Sequence, residues 1–141
     1  MLVKEVHIIE RNTIQRTLVY QTVQKLANHP TADEVYNAVG KKHPNISKAT
    51  VYRNLNGLVA QGLMGRVHVP DAADKFDHRI EPHYHIFCRK CGAFADAGEG
   101  YDQSLDERIA LATGFKSPHH DLFFTGLCAS CAAQEQDEKR A

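Results

Sequence analysis

Apolar residues in the first part of the chain recur at helical spacing. Between Thr13 and Asn28, the positions Ile14, Leu18, Val19, Thr22, Val23 and Leu26 repeat in steps of three and four. That stripe lies on one face of a 3.6-residue helix, so an amphipathic helix is predicted there. Thr31-Ala32-Asp33-Glu34 has the form of a capping box, in which two side chains satisfy each other's backbone donors. It opens a second predicted helix with Val35 and Val39 inward, ending near Gly40. Ser47 can cap a third, whose apolar positions are Val51, Leu55, Leu58 and Val59 and which Gly62 would stop.

Beyond Gly62 the runs become short and strand-like. Leu63–Val69 and Lys75–Ile80 flank the turn-forming Pro70-Asp71-Ala72-Ala73-Asp74. Three helices and a hairpin outline a winged helix-turn-helix. Glu81-Pro82 reads as a hinge, because proline forces the residue before it into extended geometry. Strands are then predicted over His83–Cys88, Gly92–Asp96 and Leu122–Leu127, with a helix over Asp102–Thr113. The charged tail Gln134–Ala141 is expected to fray. No element is assigned to Met1–Asn12. The expected fold is α+β, with a winged helix over 1–80, a hinge at 81–82 and a small α/β domain over 83–141.

Composition narrows the class. With 141 residues, 43% hydrophobic and 24% charged, the chain is that of a globular protein. No apolar run is long enough to span a bilayer, and the N-terminus lacks the marks of a signal peptide, so a cytoplasmic protein is expected. The net charge of zero hides a division. Residues 1–70 hold nine basic and four acidic side chains, and residues 71–141 hold eight and thirteen. A basic first half suggests that this half meets a polyanion.

The four cysteines form two pairs of one spacing, Cys88-Arg89-Lys90-Cys91 and Cys128-Ala129-Ser130-Cys131. Two intervening residues let both thiolates of a pair face one metal from a tight turn, and Gly92 eases the first turn. Disulfides are disfavoured in a cytoplasmic chain, and a redox role for one pair would leave the other unexplained. A structural zinc held by all four is expected. In His83-Tyr84-His85 both imidazoles fall on one face of a strand, an arrangement that can chelate or simply be solvated. Asp77 and Asp96, in flanking strands, could supply oxygen ligands or be solvated. His29 follows the first helix, where a cation is favoured with or without a metal. His119 and His120, as strand neighbours, would point to opposite faces, which makes a further metal site there weak.

Ser47-Lys48-Ala49-Thr50-Val51-Tyr52-Arg53-Asn54-Leu55, followed by His83-Tyr84-His85 and both cysteine pairs, resembles the ferric-uptake-regulator family of metal-dependent bacterial repressors. The resemblance runs from about Thr13 to Cys131. It is strongest to the peroxide-sensing branch, through His29-Pro30-Thr31-Ala32-Asp33, Phe76-Asp77, His83-Tyr84-His85 and Asp96. It implies a C-terminal dimerisation domain and a regulatory site of His29, Asp77, His83, His85 and Asp96, beside the zinc held by Cys88, Cys91, Cys128 and Cys131. Three imidazoles and two carboxylates suit ferrous or manganous ion. Such a site would fix the angle between the two lobes and hence the spacing of two recognition helices in a dimer. The implied partner is double-stranded DNA with an inverted-repeat operator. Tyr52 and Arg53 would reach bases or phosphates, with Ser47 and Thr50 in the same motif and Arg16, Lys48 and Arg66 on the backbone. Ile14 stands where the family often has proline, so the first helix is expected to start differently.

The function expected is a homodimeric, peroxide-sensing repressor that is not an enzyme and does not enter a membrane. An iron-uptake, zinc- or manganese-responsive repressor is the alternative within the family. A small metallohydrolase would need a general base, for which no motif is present. A zinc-stapled adaptor would leave the charge division unexplained.

Overall fold

The computed structural model describes residues 2–140, with side chains described from Arg11 onward. It is α+β, as expected, and divides into two compact units, Met1–Ile80 and Glu81–Ala141.

The first unit holds helices α1 (Leu2–Leu26), α2 (Ala32–Lys42) and α3 (Lys48–Ala60), then a hairpin of β1 (Gly65–Val67) and β2 (Lys75–Asp77). Val19 and Val23 of α1, Val35 and Val39 of α2, and Val51, Leu55 and Leu58 of α3 are buried together with Ile46, Met64 and Phe76. These are the stripes seen in the sequence, converging on one core. Each buried aliphatic side chain contributes roughly 1.5–3 kcal/mol. The caps form as the sequence predicts. The Thr31 hydroxyl accepts from the Glu34 N–H at 3.2 Å, and Ser47 accepts from the Thr50 N–H at 3.1 Å. At the end of α3, Leu63 N–H donates to Leu58 O and Gly62 N–H to Val59 O. This is a Schellman closure, with Gly62 at φ 72°.

Two boundaries differ from expectation here. Helix α1 runs back through position 14 to Leu2. Ile14 keeps the backbone donor that proline would remove, so nothing stops the helix there. The hairpin strands are three residues each, shorter than predicted.

The second unit is a three-stranded sheet in the order β4-β3-β5, made of β3 (His83–Cys88), β4 (Phe94–Gly100) and β5 (Phe123–Gly126). β3 pairs antiparallel with β4 and parallel with β5. The return to a parallel strand requires the crossover that α4 (Gln103–Thr113) supplies. Asp102 caps α4, its carboxylate accepting from the Ser104 N–H.

The tail expected to fray is helical instead. α5 covers Ala129–Arg140. Gln134, Glu135, Glu138, Lys139 and Arg140 are good helix formers, and Cys131 anchors the first turn by burial. Ala141 and Met1 lie outside the described residues. His119 and His120 are not on a strand, so the alternation expected of them does not apply. Both rings stack on Tyr101, at centroid distances of 5.4 and 4.5 Å.

Candidate functional site

The four cysteines meet, as their spacing predicts. Cys88 ends β3, and the turn through Gly92 (φ 79°) returns the chain, with Gly92 N–H donating to Cys88 O and Cys88 N–H to Ala93 O. Cys128 precedes α5 and Cys131 lies in its first turn. Their four Sγ atoms lie within 4.8 Å of one another, and Cys91 and Cys128 are 3.8 Å apart. Bonded sulfurs would be about 2.05 Å apart, whereas two thiolates on a tetrahedral zinc with bonds of about 2.3 Å stand about 3.8 Å apart. The sulfurs are therefore spaced as ligands of one metal ion and not as disulfides.

The thiols are also electrostatically unequal. The N–H groups of Cys128 and Cys91 donate to Cys88 Sγ at 3.4 and 3.5 Å, which brings Cys88 down to about 5. Cys131, facing the Cys128 sulfur and partly desolvated, is pushed up to about 12. Crowded sulfurs cannot all lose their protons unless a cation joins them.

Two sets of nitrogen and oxygen ligands lie one in each unit. In the first, the segment after α1 runs against β2, with Phe76 N–H donating to Pro30 O and Thr31 bridging Lys75. That pairing sets His29, only 8% exposed, against Asp77, with Nε2 3.1 Å from Oδ2. Asp77 Oδ1 accepts from the Arg79 N–H at 2.9 Å. His29 itself is at φ 53°, a left-handed conformation that histidine adopts more readily than most non-glycine residues.

In the second unit, the rings of His83 and His85 are 4.5 Å apart, edge to face. His85 is paired with Asp96 across β3 and β4. Their Nε2 atoms lie 3.4 and 3.6 Å from Asp96 Oδ1. His83 Nδ1 is 2.6 Å from the Glu81 carbonyl oxygen. A carbonyl can only accept, so Nδ1 carries the proton. A neutral His83 then turns its Nε2 lone pair toward the carboxylate. A cation between them resolves that opposition, and a carbonyl behind the far nitrogen is the usual support of a metal-binding histidine.

The residues expected at DNA all belong to the first unit. Ser47 caps α3, Lys48, Thr50, Tyr52 and Arg53 occupy its N-terminal part, Arg16 lies on α1 and Arg66 on β1. The Tyr52 hydroxyl donates to Asp33 Oδ1 at 2.6 Å, and Lys48 Nζ lies 2.9 Å from the same oxygen. Arg16 donates to Gln61 at 3.0 Å. Arg66 donates to Asn56, and its guanidinium lies 5.3 Å from the Phe76 ring centroid.

Sequence reasoning missed one cluster in the second unit. Tyr84 Oη pairs with His120 Nε2 at 2.6 Å and accepts from the Asp102 N–H at 2.8 Å. His120 Nδ1 is 2.6 Å from Asp106 Oδ1, and Tyr101 donates to the other Asp106 oxygen. These bonds tie the residue between His83 and His85 to α4. The adjacent histidines were the only signal for it in the sequence.

The chain matches the ferric uptake regulator family over residues 10–125. It is 37% identical over 125 residues to the peroxide operon regulator of Bacillus subtilis, covering 89% of this chain and 86% of that one. It is 35% identical over 121 residues to a peroxide-responsive repressor of Staphylococcus epidermidis, covering 86% and 81%. Among solved structures, the peroxide stress regulator of Campylobacter jejuni superposes with a TM-score of 0.79 at 30% identity, covering 93% of this chain and 99% of that one. The Helicobacter pylori ferric uptake regulator, at 21% identity and a TM-score of 0.73, shares the fold. Over most of its length, then, this chain belongs to the ferric uptake regulator family.

Proposed function

We propose that the protein is a homodimeric, metal-dependent transcriptional repressor that senses peroxide. The observation that carries this reading is the contrast between its two kinds of ligand. The four-sulfur cluster fits zinc, whereas His83, His85 and Asp96 offer only nitrogen and oxygen, the choice of ferrous or manganous ion. Family membership supports completing that second shell with His29 and Asp77, which already stand together in the first unit. When bound, a ferrous ion would supply electrons to peroxide, a reaction that manganous ion performs poorly.

The chain's own residues do the rest. Asp96 and Asp77 hold the carboxylate oxygens, and Glu81 O fixes the His83 tautomer. The four thiols would hold zinc, and so coordinated they would be withdrawn from oxidation because their electron pairs would be engaged. The basic N-terminal part of α3 would face the DNA. A dimer through the second unit is supported by Ile86 and Phe124, exposed register partners on the neighbouring strands β3 and β5 that leave adjoining apolar side chains in water.

The test is a mobility shift on the protein's own promoter with ferrous or manganous ion, followed by dilute peroxide and peptide mass spectrometry. The expected result is metal-dependent binding, lost on peroxide in the ferrous form only, with one oxygen added to His29 or His83. Oxygen on the cysteines, or equal loss in both metal forms, would refute peroxide sensing through this site. An intact iron repressor that ignores peroxide would favour the iron-uptake alternative.

A further inference from the structure

The basic side chains on the DNA-facing elements of the first unit are not held alike. Arg16 rests on a neutral amide, and Arg53 reaches the Thr50 hydroxyl at 3.4 Å. Arg66 has a carboxylate only at a distance, its Nε 3.8 Å from Asp74 Oδ2, whereas Lys48 has one at direct contact. A single oxygen, Asp33 Oδ1, receives both the Lys48 ammonium at 2.9 Å and the Tyr52 hydroxyl at 2.6 Å, while the ammonium lies 5.7 Å from the Tyr52 ring centroid. An ammonium and a hydroxyl converging on one anionic oxygen is also how a protein holds a DNA phosphate. All three groups are accessible, Asp33 and Lys48 having side-chain exposures of 62% and 57%, so a phosphate oxygen can reach them.

We infer that Asp33 is a specificity-determining residue that stands in for a phosphate, occupying Lys48 and Tyr52 so that contact with arbitrary DNA is weakened. The inference rests on the DNA-binding reading above. Its logic is a difference of affinities. Any duplex offers phosphates, but displacing the carboxylate returns little when a phosphate merely replaces it. Only a duplex that also offers matching base edges to α3 recovers the loss. An exposed pair of this kind is worth little to folding. Its consequence lies in the count of cations free to release counterions from DNA, which sets the salt dependence of binding.

The experiment uses the full-length manganese-loaded protein and two duplexes, one of mixed sequence and one selected by the wild type from a random pool. Fluorescence anisotropy over a salt series gives affinity and slope. Asp33→Asn keeps an acceptor for Tyr52 but releases Lys48. It should raise affinity for the mixed duplex severalfold and steepen the plot of log affinity against log salt by about 0.9, one further phosphate. The preference for the selected duplex should fall. Asp33→Glu should behave as wild type. Glu34→Gln, which makes the same change in net charge one residue away, should leave the slope unaltered. In a Lys48→Ala background, Asp33→Asn should have no effect on the slope. An unchanged slope in Asp33→Asn, a slope that steepens equally in Glu34→Gln, or one that survives Lys48→Ala would overturn the inference while leaving DNA binding intact. If the wild type retains no duplex from the pool, the DNA-binding reading and this inference fall together.

Discussion

At the scale of single residues, hydrogen bonds behind the functional groups matter as much as the groups themselves. Glu81 O settles which His83 nitrogen is open, and Tyr84, on the opposite side of the strand's alternation, ties β3 to α4 through His120 and Asp106. Asp106 is held below the ordinary carboxylate range, first by His120 and then by Tyr101. A depressed folded-state value means that its contribution is present in full above the unfolded value of about 3.9 and is lost as pH falls through the folded one. Asp106→Asn should therefore lower the melting temperature of the second unit by several degrees at neutral pH. Calorimetry against pH should show wild type and variant converging below about pH 4. In the sequence, the cysteines were legible because their spacing repeats and because sulfur chemistry is narrow. The Tyr84 network was not legible, since tyrosine, aspartate and histidine 14–36 positions apart carry no period, and only the fold brings them together.

At the scale of elements, what the sequence revealed depended on whether a boundary had its own local chemistry. α2 and α3 were readable because Thr31, Ser47 and Gly62 satisfy backbone groups that any helix end must satisfy. Helix α1 was read too short, because β-branched residues lower helix propensity before Thr13 and no cap marks its start. Helix α5 was read as frayed because it has almost no apolar face, Cys131 being its one buried residue. Here the buried Cys131 of the four-sulfur cluster supplies the anchor that a hydrophobic stripe normally would. Gly62 offers a clean check on the capping argument. A Cβ there would meet nothing within 4 Å, so Gly62→Ala changes only the backbone cost of a left-handed residue. It should destabilise the first unit by about 1–2 kcal/mol, measurable by urea unfolding followed through helical circular dichroism, without altering metal content.

At the scale of the whole molecule, the two units are stabilised by different means. The first has a continuous core of Val19, Val23, Val35, Val39, Val51, Leu55, Leu58 and Phe76. The second buries few apolar side chains among its described residues, chiefly Tyr84, Cys88 and Cys131, and α4 buries none. A unit of that size with so small a core needs a covalent, metal or subunit staple, and two of its three best-buried side chains are themselves cysteines of the four-sulfur cluster. Metal affinity at such a cluster, roughly 10–16 kcal/mol, becomes folding free energy when the ligands have no geometry without it. Stripping the zinc with a strong chelator, or replacing Cys131 by serine, should therefore unfold the second unit. The dimer contact proposed above should go with it, since the apolar surface around Ile86 and Phe124 is arranged by the same sheet. The first unit should keep its helices, because its core contains no cysteine. Amide exchange resolved by residue, together with light scattering, separates these outcomes. Protection lost from β3, β5 and α5 but retained in α2 and α3, with halved mass, is the expected result. Equal loss throughout would mean that the two units fold as one, and a zinc-free dimer with full protection would refute the structural role of the cluster.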